Sequence, residues 1–166
     1  MKIGSAIASS SERSPQAAPW VVLTLLWTLT LLFAIRVLGQ AAQRWWPQSF
    51  LPSFGAFQGS GLQYPLLLSA QLTILALMVR AVLRVRAGTL SPSSGQLKFL
   101  IGFGSIYMAG SILRIAIGLA VPAAPHWFTA WIPAFFHLVL AAFVVTLALH
   151  ARNQVPQSMR NSGASI

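Results

Sequence analysis

Four long apolar runs, separated by polar, proline-rich or glycine-containing stretches, organise the chain. They extend over Trp20 to Leu38, Pro65 to Leu83, Phe99 to Val121 and Ile132 to Leu149. Each holds roughly 18–23 residues, which at 1.5 Å per residue matches the ~30 Å hydrocarbon core of a bilayer. No period-two alternation suggests a transmembrane barrel, and lipid tolerates no open sheet edge. The pattern predicts an all-α fold, an integral membrane four-helix bundle over residues 20–152, between disordered tails at 1–19 and 153–166. A cleaved signal peptide is the rival reading of the first run, with a cleavage site near Val37 and Gly39. The run exceeds the usual apolar core of about 7–15 residues and follows a long polar stretch, so the first span is expected to stay attached.

The longest connection, residues 39–64, carries Trp45, Trp46, Pro47 and Pro52. Phe50, Phe54 and Phe57 recur there at i, i+4 and i+7, one face of a short helix. Aromatic rings of this kind settle at headgroup level. A short interfacial helix after the first span is therefore predicted, ended by Gly59 and Gly61. Proline at the start of the second span suits a first helical turn, where its missing N–H has no partner to lose. Pro125, His126, Trp127 and Trp131 mark the loop before the fourth span.

Polar positions inside the spans narrow the search for chemistry. Gly104, Tyr107, Ser111, Arg114 and Gly118 repeat at alternating spacings of three and four, a single helix stripe. Small and polar residues on such a stripe turn away from lipid and toward other helices. Tyr64, Gln71 and Met78 are seven apart on the second span. Ala130, Ala134, His137, Ala141, Val144 and Ala148 form a small-residue stripe on the fourth. Gln71, Arg114 and His137 share a depth, roughly 5 Å outward of mid-span at 1.5 Å per residue. The candidate ligand-binding residues are Arg114, Gln71, His137 and Tyr107, expected to face one another, with Arg36 near the surface above them. Arg36 has a second reading, in which it snorkels to the interface.

Composition then limits what this site can do. Of the 166 residues, 56% are hydrophobic and 7% charged, with 11 Lys and Arg against the single acid Glu12. Soluble domains carry about 25% charged residues, so lipid must cover most of this surface. The basic residues cluster at span ends, as the positive-inside bias requires, and nucleic-acid binding is not expected. Lys2, Arg13, Arg80, Arg84, Arg86, Lys98, Arg152 and Arg160 fall on one side; Arg44 falls on the other. Both termini are accordingly expected in the cytoplasm and the Trp-rich loops outside.

There is no cysteine, which excludes disulfides, thiolate nucleophiles and cysteine-ligated clusters. With Glu12 in a tail, no nucleophile–base–acid set exists, so binding is expected rather than catalysis. No metal ligand set is apparent. Arg114 keeps its proton, and placing it near the bilayer centre costs at least about 2.5–3.5 kcal/mol. No span supplies a carboxylate to offset this. Its partners are backbone carbonyls, Gln71, Tyr107, neutral His137, water, an oxygen-rich ligand, or an acid from another membrane protein.

Four spans, an amphipathic segment after the first, and Gly61-Leu62-Gln63-Tyr64-Pro65 leading into the second resemble the DoxX-like group of small bacterial membrane proteins. The resemblance implies the four-span architecture and a bacterial inner membrane. Members carry an acidic residue within the second span, where this chain has Gln71. Three functional readings remain open from the sequence. One is a protein binding an anionic or carbonyl-bearing ligand, a quinone or lipid headgroup, or an accessory subunit of a membrane complex. The second is a redox carrier with haem held between two copies of His137 in a homo-oligomer. The third is a small-solute transporter.

Overall fold

The computed structural model describes residues 20–58, 61–121 and 125–154. The tail expected at 1–19 lies outside the described residues, as does that at the C-terminus except for Asn153 and Gln154, which close the last helix. The elements are α1 (Trp20–Trp45), α2 (Phe54–Phe57), α3 (Tyr64–Arg86), α4 (Ser94–Ala120), α5 (His126–Thr129) and α6 (Trp131–Gln154). No strand occurs among the described residues. Four helices, α1, α3, α4 and α6, are long and apolar enough to cross a membrane. At 1.5 Å per residue they reach about 35–40 Å, so their ends extend past the hydrocarbon core.

The helices overrun the apolar runs for local reasons. Arg36, Gln40 and Gln43 continue the inward face of Leu29 and Phe33 at helical spacing, so α1 goes on after its hydropathy falls. Ser93 and Gln96 form a capping box: Gln96 N–H donates to Ser93 Oγ at 3.3 Å, and Ser93 N–H to Gln96 Oε1 at 3.0 Å. This starts α4 at Ser94, ahead of its apolar run. Gly88, with φ 65°, turns the chain after α3 in a conformation that side-chain-bearing residues avoid.

α1 packs against both α3 and α6, and α4 packs chiefly on α6. The order across the molecule is thus α3, α1, α6, α4. Leu26, Leu29, Phe33 and Val37 meet Met78, Val82 and Val85 on one side and Val139, Phe143 and Leu147 on the other. The opposite face of α6, with Ala134, Ala141 and Ala148 buried, receives α4. Small residues here let the two backbones approach. A Cβ on Gly104 would lie 3.1 Å from Val144 Cγ1, and one on Gly118 would collide with the carbonyl oxygen of Phe128.

The interfacial helix is shorter and sits differently from the sequence expectation. Only Phe54–Phe57 is helical; Phe50 lies outside it and is exposed. Phe57 is buried and its ring packs against Gly39. The segment is tied down by Gln43, whose Nε2 donates to the carbonyls of Gln48, Leu51 and Pro52 at 3.2, 3.1 and 2.7 Å. Two proline-interrupted turns cannot build a longer helix. Their exposed carbonyls instead find a donor in a side chain of α1.

Candidate functional site

Polar side chains gather in the half of the molecule that holds the C-terminal part of α1 and the N-terminal parts of α3 and α6. Each arrives by the stripe logic of its helix. On α1, Arg36 and Gln40 are one turn apart on the buried face. On α3, Gln71 is the polar member of the seven-residue repeat continued by Met78 and Val85, all buried. On α6, His137 stands a turn after buried Pro133 and Ala134. Proline this early in a helix leaves the hydrogen-bond ladder intact.

All of these polar side chains but Gln40 line a cavity of about 340 Å³ that separates α3 from α6 and has α1 as its floor. Arg36, Gln71 and His137, one from each helix, line it together with Phe33, Ile74, Phe136 and Leu140. Leu62, in the segment leading into α3, stands at its rim. A volume of this order lies within the range of ligand pockets, and the mixture of apolar walls and a few convergent polar groups is their usual composition.

Arg36 does not snorkel. It is 8% exposed, and its guanidinium donates from Nη2 to the carbonyl oxygen of Phe57 at 3.2 Å. Its Cζ lies 5.6 Å from the centroid of the Phe136 ring, within cation–π range. The physical reason is that α1 continues for two further turns with Arg36 on its buried face, and α2 closes over the guanidinium with a carbonyl. Its Nε is buried with no hydrogen-bond partner.

Gln71 Nε2 donates to Gln40 Oε1 at 3.0 Å. One bond between two amides leaves an acceptor and a donor over, and Gln71 Oε1 and Gln40 Nε2 are both buried without a partner. Sequence reasoning missed Gln40, because the apolar run ends at Leu38; the helical spacing from Arg36 was the available signal.

Tyr107 and His137 share a 2.5 Å hydrogen bond between the phenol oxygen and Nδ1, with the rings edge to face. The donor is set by the tautomer of the imidazole. The bond engages Nδ1 and leaves Nε2 as the remaining polar atom of the ring. Ser111 donates to the carbonyl of Tyr107 at 2.7 Å, so its hydroxyl is satisfied within α4.

Arg114 is 4% exposed and therefore faces inward, on the same stripe as buried Gly104 and Ser111. It lies within Coulombic reach of Tyr107 and His137. It does not line the cavity of Arg36, Gln71 and His137. The five candidate residues thus fall into two connected groups. Arg36, Gln71 and His137 surround the cavity, and Tyr107 and Arg114 stand behind His137 on α4. Tyr107 is level with His137, and Arg114 lies two turns, about 10 Å, further along α4, which carries it away from the cavity.

Among the described residues, no group of three His, Cys, Asp or Glu side chains is placed to hold a metal ion. No protein-family model, curated protein or solved structure matches the chain.

Proposed function

We propose that the chain is a small inner-membrane protein of a bacterium that binds a lipid-soluble, oxygen-bearing ligand in the cavity between α3 and α6. One observation carries this reading. Three polar side chains from three helices converge on an otherwise apolar cavity, and two of them also carry atoms buried without partners just beneath its lining, Arg36 Nε and Gln71 Oε1. Unpartnered buried polar groups each cost about 1–3 kcal/mol, and intramembrane ionisable groups lean toward function. A ligand carbonyl, hydroxyl or anionic oxygen offsets that cost once these side chains turn toward the cavity to meet it. The apolar walls suit a ring or acyl segment, and entry between two helices that do not close on each other suits a ligand dissolved in lipid.

The test is native mass spectrometry of the protein extracted in mild detergent, beside Arg36→Leu. The wild type is expected to retain a bound lipid-soluble molecule that the variant loses, with helicity and thermal stability measured on both, because Arg36→Leu also removes the bond to the Phe57 carbonyl and the contact with Phe136. Equal ligand content in the two proteins would sink the proposal.

A further inference from the structure

At the end of α3 remote from the cavity, cations collect without any counter-charge in the chain. Arg80, Arg84 and Arg86 stand in the last two turns of the helix, and all three are exposed. The single acid of the sequence is Glu12, so no Asp or Glu occurs among the described residues to pair with them. The last carbonyls of α3 do not occupy them either. The N–H groups of Ala87, Gly88 and Thr89 donate to the carbonyls of Leu83, Val85 and Arg84 at 2.9, 3.1 and 3.0 Å. Arg80 stands furthest in. It lies about 9 Å before the helix end at Arg86, on an outward surface between exposed Leu77 and Leu83.

Two apolar grooves lead from these guanidiniums toward mid-span. One, of about 620 Å³, runs along α3 past Val79, Ala76 and Leu72 and has Arg80 and Arg84 at its basic end. The other, of about 530 Å³, is lined by Leu23, Trp27 and Leu31 of α1, with Arg86 across from them. Leu72, Val79 and Arg86 are seven apart and share one stripe of α3, which sets the two grooves side by side. Whatever fills them must bring its own negative charge. A second copy of the chain does not, since its described residues hold no acid and would oppose like charges. An acidic peptide from water meets the guanidiniums and leaves the apolar grooves empty. A phospholipid satisfies both features, because its phosphate belongs at the level of the helix ends and its acyl chains follow the helix axis into the membrane. We infer that this face binds one anionic phospholipid, with the phosphate between Arg80, Arg84 and Arg86 and an acyl chain in each groove. The site is separate from the Arg36 cavity and does not rest on it.

The experiment titrates the full chain in mild detergent with phosphatidylglycerol and with phosphatidylcholine of the same acyl chains, reading bound lipid by native mass spectrometry. Phosphatidylglycerol should bind at least about tenfold more tightly, since each arginine near an anionic headgroup contributes roughly fivefold. Replacing Arg80, Arg84 and Arg86 together by Gln should reduce that preference to about twofold, with helicity and thermal stability checked. Ala76→Trp, which fills the first groove, should weaken both lipids and keep the preference. Lys98→Gln with Arg152→Gln is the control, because these cations end α6 and begin α4 and line neither groove; the preference should hold. An equal loss in the control pair overturns the site, since the preference then belongs to the net charge of that end. A preference that survives the triple variant, or binding indifferent to Ala76→Trp, overturns it as well. The preference should also persist in Arg36→Leu; its loss there moves the lipid to the cavity between α3 and α6. A protein chain retained by the wild type in place of lipid, and released by the triple variant, assigns the face to a protein and overturns the lipid.

Discussion

At the scale of single residues, the molecule buries polar groups that its lipid surroundings cannot satisfy and pairs most of them locally. Buried Thr30 Oγ1 donates to the carbonyl of Leu26 at 2.8 Å, and on the exposed face of α3 Ser69 and Thr73 also bond one turn back, at 2.9 Å each. Gln40 and Gln71 depend on each other across two helices, which makes them separable by mutation. Gln40→Leu should lower stability, because it leaves the Gln71 amide wholly unpartnered inside the bundle. Gln71→Leu should do likewise, and the double variant should be less destabilised than the sum. The coupling expected from a double-mutant cycle is roughly 0.6 kcal/mol, the average for hydrogen bonds between membrane helices, and at most about 1.7 kcal/mol. Additive losses in thermal or denaturant unfolding would mean that the bond contributes nothing. Gln71 was legible in the sequence because it stands alone in an apolar stripe. Gln40 was not, because hydropathy marks where lipid ends and says little about where a helix ends. The same confusion of the two boundaries made Arg36 look shallow.

At the scale of elements, periodicity was informative wherever a helix has one buried face. The stripes on α3 and α4 are the faces turned inward: Gln71 and Met78 on one, Gly104, Ser111 and Arg114 on the other. On α6 the stripe identified only three of the nine buried residues, Ala134, Ala141 and Ala148. That helix stands between α1 and α4, so Val139, Phe143 and Leu147 are also buried on its second face, and a two-faced helix loses its single period. Which helices would be neighbours was not legible either, since all four are apolar and their order across the molecule depends on how bulk is matched at each contact. The contact of α4 with the α5–α6 end rests on Gly118, where any Cβ meets backbone that cannot rotate away. Gly118→Ala should therefore destabilise the protein by about 1–3 kcal/mol, the usual cost of overpacking. Gly110 is the matched control, because a Cβ there meets nothing within 4 Å. Gly110→Ala should be neutral or stabilising by up to about 1 kcal/mol through helix propensity alone. Thermal unfolding in detergent distinguishes the two, and equal behaviour would remove the argument that α4 docks through its glycines.

At the scale of the whole molecule, charge and contact geometry point the same way. Gly104 lies beside Val144 while Tyr107 bonds His137, so α4 and α6 run antiparallel. The bond from Gln71 near the start of α3 to Gln40 near the end of α1 makes those two helices antiparallel as well. Arg80, Arg84 and Arg86 end α3, Lys98 begins α4 and Arg152 ends α6, which collects five cations at one end of the bundle. The other end has Arg44, with Trp45, Trp46 and Trp131 exposed around it. Under the positive-inside rule the first end belongs in the cytoplasm. That orientation, which reporter fusions test, would put the Arg36, Gln71 and His137 cavity in the outer half of the bilayer. Reporter fusions after Arg86 and after Arg152 should accordingly read cytoplasmic, and fusions after Trp46 and Trp127 periplasmic. Reversing the bias should be hard to achieve with one substitution, because the asymmetry is spread over three helix ends. Replacing Arg80, Arg84, Arg86 and Lys98 together by Gln should be needed before a mixed topology is seen. A wild-type protein with a periplasmic fusion signal after Arg86 would invert the molecule and place the cavity in the inner leaflet. It would leave the packing of the helices, and the convergence of the three polar side chains, untouched.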